Sequence, residues 1–137
     1  MPTSPPETRA PITPAHIAEL LDKTPVPRLS GDDLHLWLLP FPIGHEALRQ
    51  TIERLPDAGE RASAARRVFA ADRLRQMHAR GLLRYLLGHY LARDPQRLDF
   101  ITNDYGKPAL STADRLQFNV SHCQDHILIG LTRRVPV

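Results

Sequence analysis

The sequence predicts an α+β fold in which a small, largely antiparallel sheet packs against a long helix. Three observations predict it. The runs 116–121 and 126–132 alternate along their length with the period of two expected of strands. A similar run, 33–39, lies nearer the start of the chain. Between them, from about Glu60 to Leu91, apolar residues recur at the helical period over one helix or two consecutive pieces. At 137 residues and 42% hydrophobic composition, the chain suits one domain with a modest core.

The elements follow in order. Residues 1–30 hold seven of the 13 prolines and form a proline-rich leader, since each proline fixes φ and removes a donor. One short helix fits inside it, with Thr13 as N-cap, Pro14 at the first position and Ile17, Leu20 and Leu21 on one side. Leu34, Leu36 and Leu38 then alternate with His35 and Trp37 as a first strand, ended by Pro40 and Pro42. From His45 to Leu55 the spacing of Ala47, Leu48, Thr51, Ile52 and Leu55 is helical, and Pro56-Asp57-Ala58-Gly59 breaks it. In the long helical region Ala71, Leu74, His78, Leu82 and Tyr85 make one face for the sheet. Arg66, Arg73, Arg80 and Arg84 make an opposite, solvated face. Arg75 projects from the rim of the apolar stripe and needs an anionic partner, either a ligand phosphate or a neighbouring carboxylate.

Asp94-Pro95 closes the helical region, and Leu98, Phe100 and Thr102 alternate as a short strand. Tyr105-Gly106-Lys107-Pro108 reads as a turn that can aim its lysine. Leu116, Phe118 and Val120 alternate with Gln117, Asn119 and Ser121 in a strand that ends at His122. Ile127, Ile129 and Leu131 belong to a more fully buried strand, antiparallel to it and joined through His122-Cys123-Gln124-Asp125.

The net charge of +3 conceals a bias, because all but two of the 18 basic residues are arginine. Guanidinium forks suit phosphate and carboxylate, although base composition alone also produces such a bias. The single cysteine, Cys123, is read as excluding an internal disulfide and any cysteine-based metal site. No signal peptide or apolar span is evident, which points to the cytoplasm.

Several chemistries are disfavoured by the residues themselves. Ser121 and His122 are adjacent and diverge if extended, and no nucleophile elbow supports serine catalysis. His122 and His126 would share a face only on a helix, so they make no metal pair, and His35 and His45 read as packing or surface residues. Nucleic-acid binding lacks aromatic interleaving beside the arginines. Anion holding remains, with Arg75, Lys107, Ser121 and His122 able to converge on phosphate groups.

Tyr105-Gly106-Lys107-Pro108 followed by Phe118-Asn119-Val120-Ser121-His122 resembles the paired motifs of 4′-phosphopantetheinyl transferases of the surfactin-synthetase-activating type. The run from Asp72-Arg73-Leu74-Arg75 to Arg80-Gly81-Leu82-Leu83-Arg84 is similar to that family's first long helix. The resemblance covers roughly residues 34–137. It implies one lobe of a pseudo-twofold fold, spanning 31–137, and transfer of 4′-phosphopantetheine from coenzyme A to a serine of an acyl or peptidyl carrier protein. It also implies a coenzyme A site made of Arg75, Gly106, Lys107, Pro108, Ser121 and His122. Arg75 would lie near the adenosine 3′-phosphate, Gly106, Lys107 and Pro108 beside the adenine and ribophosphate, and Ser121 and His122 on phosphate oxygens. Arg61 and Arg66 align loosely with basic residues ahead of the helix, and Cys123 is given no role.

The family's magnesium is held by a Gly-x-Asp-x-Glu segment that follows the last strand, with further residues on a later helix. Here the sequence stops at Val135-Pro136-Val137, about where that segment would begin. The expectation is an N-terminal half, inactive or nearly so alone, with no metal ligands of its own. The missing C-terminal lobe, another subunit or self-association would cover its exposed apolar surface.

Overall fold

The computed structural model describes residue 29 and residues 33–102, 107–110 and 116–133. The expected helix in the proline-rich leader, the Tyr105-Gly106 part of the turn and residues 134–137 lie outside the described residues. Three strands, β1 (Leu34–Pro40), β4 (Gln117–His122) and β5 (His126–Thr132), form an antiparallel sheet in the order β1-β5-β4. β5 takes the middle place, which suits its sequence, since Ile127, Ile129 and Leu131 are all fully buried. Its outward residue Leu128 is exposed, so β5 is buried on one face only and not on both.

The register Trp37↔Ile129, Leu39↔Ile127, Phe118↔Leu131 and Val120↔Ile129 defines the inner face. This reverses the expected orientation of β1, because Trp37 and Leu39 are buried while Leu34 and Leu36 stand 61% and 53% exposed. Both faces of this strand are largely apolar, so its alternation could not choose between them. Pairing with β5 chooses, since residues directly opposite in a ladder share a face.

The helices are α1 (Glu46–Glu53), α2 (Ala58–Ala65) and α3 (Ala70–Leu91), so the long helical region comes in two pieces separated by 66–69. His45 N-caps α1 through its Nδ1, which accepts from Leu48 N at 3.2 Å. Asp57 and Glu60 form a capping box at the start of α2. α3, about 33 Å long from its 22 residues, is buried only from His78 onward, where the other elements cover it. Ala71 and Leu74 therefore do not join the buried face as expected, and Leu74 is 41% exposed. The expected solvated face is also corrected, since Arg84 is 2% exposed and sits among Glu60, Asp57 and two backbone carbonyls.

α3 ends at Ala92, which takes the left-handed conformation at φ 51°. A 3-10 turn, Pro95–Arg97, leads to a separate antiparallel ribbon of β2 (Phe100–Thr102) and β3 (Pro108–Leu110). The second of these strands was not read from the sequence. Phe100 meets Phe118 edge-on at 5.9 Å, which ties the ribbon to the main sheet.

Glu53 at the end of α1 supports a pH-dependent contact. Its Oε1 lies 2.8 Å from Nε2 of the buried His78, with Arg49 Nη1 at 3.4 Å and the Arg61 side chain on its carbonyl. The hydrogen bond with His78, helped by the charges of His78 and Arg49 and opposed by burial, holds the Glu53 carboxyl below its ordinary value. A folded-state value below the unfolded one stabilises the protein above the unfolded carboxylate range, and that contribution is lost as pH falls through the folded value. Glu53→Gln is therefore expected to show a smaller fall in urea midpoint between about pH 7 and about pH 4 than the unsubstituted chain. Equal falls in the two proteins would contradict this assignment.

Candidate functional site

The exposed first turns of α3 carry Asp72 and Arg75 to the β4–β5 hairpin. Arg75 Nη1 donates to Asp72 Oδ1 at 2.6 Å, and Nη2 donates to the carbonyl of Gln124 at 3.2 Å. The guanidinium carbon lies 5.0 Å from the centre of the Phe41 ring. The anionic partner that the rim position requires is thus present one helical turn back, and the side chain is only 11% exposed. Its buried Nε has no hydrogen-bond partner.

His122, the last residue of β4, shares this corner. Burial, then the positive charges of Arg75 and Arg67, hold its imidazole below its ordinary value, against a smaller opposing effect of Asp72. The corner thus holds two guanidiniums against the one carboxylate of Asp72, beside an imidazole disfavoured from protonating. Arg67 is steadied by Gln76, whose Oε1 accepts from its Nε at 2.8 Å while Nε2 donates to Ser63 at 3.0 Å.

Gln76 also opens onto a cleft of about 480 Å³ between α2, α3 and the ribbon, lined among others by Glu60, Arg80, Asp99, Phe100 and Pro108. That volume is in the range of small-molecule sites. Arg80 Nε stands 2.9 Å from Glu60 Oε2, close enough for an ion pair, though that oxygen makes no aligned hydrogen bond. Arg80 and Arg84 both lie over the Phe100 ring, at 5.2 and 5.0 Å. The cleft is therefore built from an aromatic face, a proline and carboxylates already engaged with arginines.

The expected site residues divide into three groups. Arg75 and His122 are brought together. Pro108 lines the neighbouring cleft and Lys107, which precedes it, is exposed; Gln76 at the cleft directly follows Arg75 at the corner in α3. Ser121 pairs with Leu128 and so lies on the outer face of the sheet, away from His122. Gly106 lies outside the described residues. Arg67, Gln76 and Phe41 were missed by the sequence reading, because their proximity depends on the break at 66–69 and on the path from β1 into α1.

A second cluster occupies the hairpin tip. Cys123 Sγ donates to Asp125 Oδ1 at 3.3 Å, and His126 Nδ1 lies 3.1 Å from the same oxygen. The donor atoms of the three residues all lie within 4.8 Å of one another. The reading of Cys123 as excluding any cysteine-based metal site considers cysteine pairs only, whereas here an imidazole and a carboxylate lie beside the thiol within three residues across a tight turn.

Comparison with known proteins bears on the whole arrangement. The family model described as 4′-phosphopantetheinyl transferase, N-terminal, matches residues 42–132. The chain is 34% identical over 122 residues to the 4′-phosphopantetheinyl transferase HetI of Nostoc sp. (strain PCC 7120), covering 85% of this chain and 51% of that protein. The chain thus spans about half the length of the curated relative it matches.

Proposed function

The chain belongs to the 4′-phosphopantetheinyl transferase family, and on that premise we propose that it is the coenzyme-A-binding lobe of a cytoplasmic enzyme that transfers phosphopantetheine to a carrier-protein serine. The observation that carries this reading is the meeting of Arg75 and His122 beside Arg67, a cationic corner for a phosphate. Arg75 and His122 hold the 3′-phosphate region, while Lys107 and Pro108 contribute from the start of the neighbouring ribbon strand. Ser121, on the opposite face of the sheet, takes no part in this arrangement, and Gly106 lies outside the described residues. The adenine enters the cleft against Pro108 and Phe100, where a neutral aromatic base suits the surface better than a phosphate would, given Asp57, Glu60 and Asp99. The free, exposed Cys123 is in keeping with a reducing compartment. Among the described residues no helix is long and apolar enough to cross a membrane.

The family implies magnesium. The one group of three clustered donors among the described residues contains a thiol, an imidazole and a single carboxylate. Such a set does not fit a hard cation that takes oxygen ligands. On this reading the 137 residues bind coenzyme A but transfer little or nothing by themselves. Leu34, Leu36 and Leu128 on the outer sheet face favour burial of that face against a second lobe, another subunit or a second copy.

Calorimetric titration with coenzyme A tests the proposal. Arg75→Ala and His122→Ala are each expected to weaken binding about 10- to 100-fold, the effect of losing a hydrogen bond to a charged group. The Arg75→Ala effect should shrink when 3′-dephospho-coenzyme A replaces coenzyme A. Absence of binding by the unsubstituted chain, or affinity indifferent to both substitutions, would refute it.

A further inference from the structure

We propose that Cys123, Asp125 and His126 form a binding site for a thiophilic divalent transition metal ion of the zinc class at the tip of the β4–β5 hairpin. The site is separate from the anion corner. Cys123 N donates to His126 O at 3.0 Å, continuing the ladder one pair beyond His122↔Ile127. Opposed residues share a face and successive residues alternate, so Cys123 and His126 lie on the outer face while His122 lies on the inner one.

Two of the three edges of the donor triangle have the spacing of a coordination polyhedron, and the third, between sulfur and nitrogen, is no longer than 4.8 Å. A tetrahedral zinc ion, with bonds of about 2.3 Å to sulfur and about 2.0 Å to nitrogen or oxygen, separates sulfur from oxygen by about 3.5 Å and nitrogen from oxygen by about 3.3 Å. The corresponding distances here are 3.3 Å and 3.1 Å. Asp125 Oδ1 is the shared vertex of both edges, and the sulfur and nitrogen would close on it to about 3.5 Å from each other to admit the ion.

The turn is also held in place. Asp125 O accepts from Phe41 N at 2.8 Å, and Gln124 O accepts from Arg75 Nη2 at 3.2 Å. Both residues of the turn are therefore anchored, one to the segment after β1 and one to α3. The ordering that a loop site normally requires on binding is largely complete beforehand.

The proton and charge balance is simple. Without metal, the thiol proton bridges to Asp125, as does the Nδ1 proton of a protonated or Nδ1-H imidazole. The ion displaces the thiol proton to solvent. A protonated imidazole also releases its Nδ1 proton, whereas a neutral Nδ1-H ring changes to the Nε2-H tautomer with no net release. In either case the ion is bound by a thiolate, a carboxylate and a neutral imidazole. Two negative ligands neutralise the two positive charges. A fourth position stays open to water or to a donor from outside the described residues.

Cobalt(II) titration of the chelator-treated 137-residue chain tests the site, with zinc as competitor. The expected result is a saturable one-to-one thiolate-to-cobalt charge-transfer band that zinc abolishes and excess magnesium does not. Cys123→Ser should remove the band, and His126→Ala and Asp125→Asn should each weaken binding by about tenfold or more. All three residues are exposed, so the variants are expected to keep the parent circular dichroism spectrum and melting temperature. No thiolate band, displacement by magnesium, or unchanged affinity in both His126→Ala and Asp125→Asn would overturn the proposal.

Discussion

Replacement of Arg84 by alanine is expected to lower the unfolding free energy by about 3–5 kcal/mol, the scale for removing one member of a buried ion pair. Arg84 ties α3 to the start of α2 and to both ends of the 3-10 turn. Its Nε donates to Glu60 Oε1 at 2.6 Å, Nη2 to Asp57 Oδ2 at 3.1 Å, and Nη1 to the carbonyls of Pro95 and Leu98 at 2.9 and 3.0 Å. Glu60 Oε1 also accepts from Asp57 N in the capping box, so truncation leaves the largely buried Glu60 carboxylate with Arg80 as its one remaining cationic neighbour and loosens the start of α2. Arg84→Lys should recover only part of the loss, because a single ammonium cannot reproduce the fork. Denaturant midpoints with an unchanged slope would read out the effect, and a loss of under about 1 kcal/mol in the alanine variant would contradict it.

Gly81→Ala is the second large effect. A Cβ built on Gly81 would stand 2.0 Å from the carbonyl oxygen of Ile52 and 2.8 Å from its carbon, both backbone atoms of α1. In a free helix, alanine is favoured over glycine by about 1 kcal/mol. Here that gain is overwhelmed, since α1 must move away from α3 and Ile52, which is fully buried, must move with it. The expected net loss is about 3 kcal/mol, at the upper end for overpacking. A variant as stable as its parent would show that the two helices can separate at little cost.

The strands and helices were largely legible because periodicity is local. β4 is the clearest case, with Leu116 and Phe118 buried and Val120 half-buried as the alternation predicts. The inward face of β1 was not legible, since Trp37 and Leu39 compete with Leu34 and Leu36 and only pairing with β5 decides. Arg84 was misread for a related reason. A helical wheel places it opposite the core, but it cannot show that α2 and the 3-10 turn close over that side. Among the site residues, the resemblance picked out Arg75 and His122, and the fold brings them together. Arg67 joins them because the chain breaks between α2 and α3, and Cys123, Asp125 and His126 meet because of a two-residue turn. Those are matters of geometry that residue types alone do not disclose.

The bond between Arg75 and Asp72 has a consequence for how the proposed corner would discriminate among ligands. The guanidinium is already engaged at 2.6 Å by a carboxylate of its own helix. An incoming anion therefore meets a resident competitor, and binding is an exchange of one anion for another. Singly charged carboxylates gain little from replacing one of their own kind, whereas a phosphate dianion offers more charge and more acceptor oxygens. Selectivity would then arise from what Arg75 gives up as well as from what it receives. The exchange also limits the growth of affinity at low ionic strength, because Asp72 grips harder under the same conditions that strengthen attraction to the ligand.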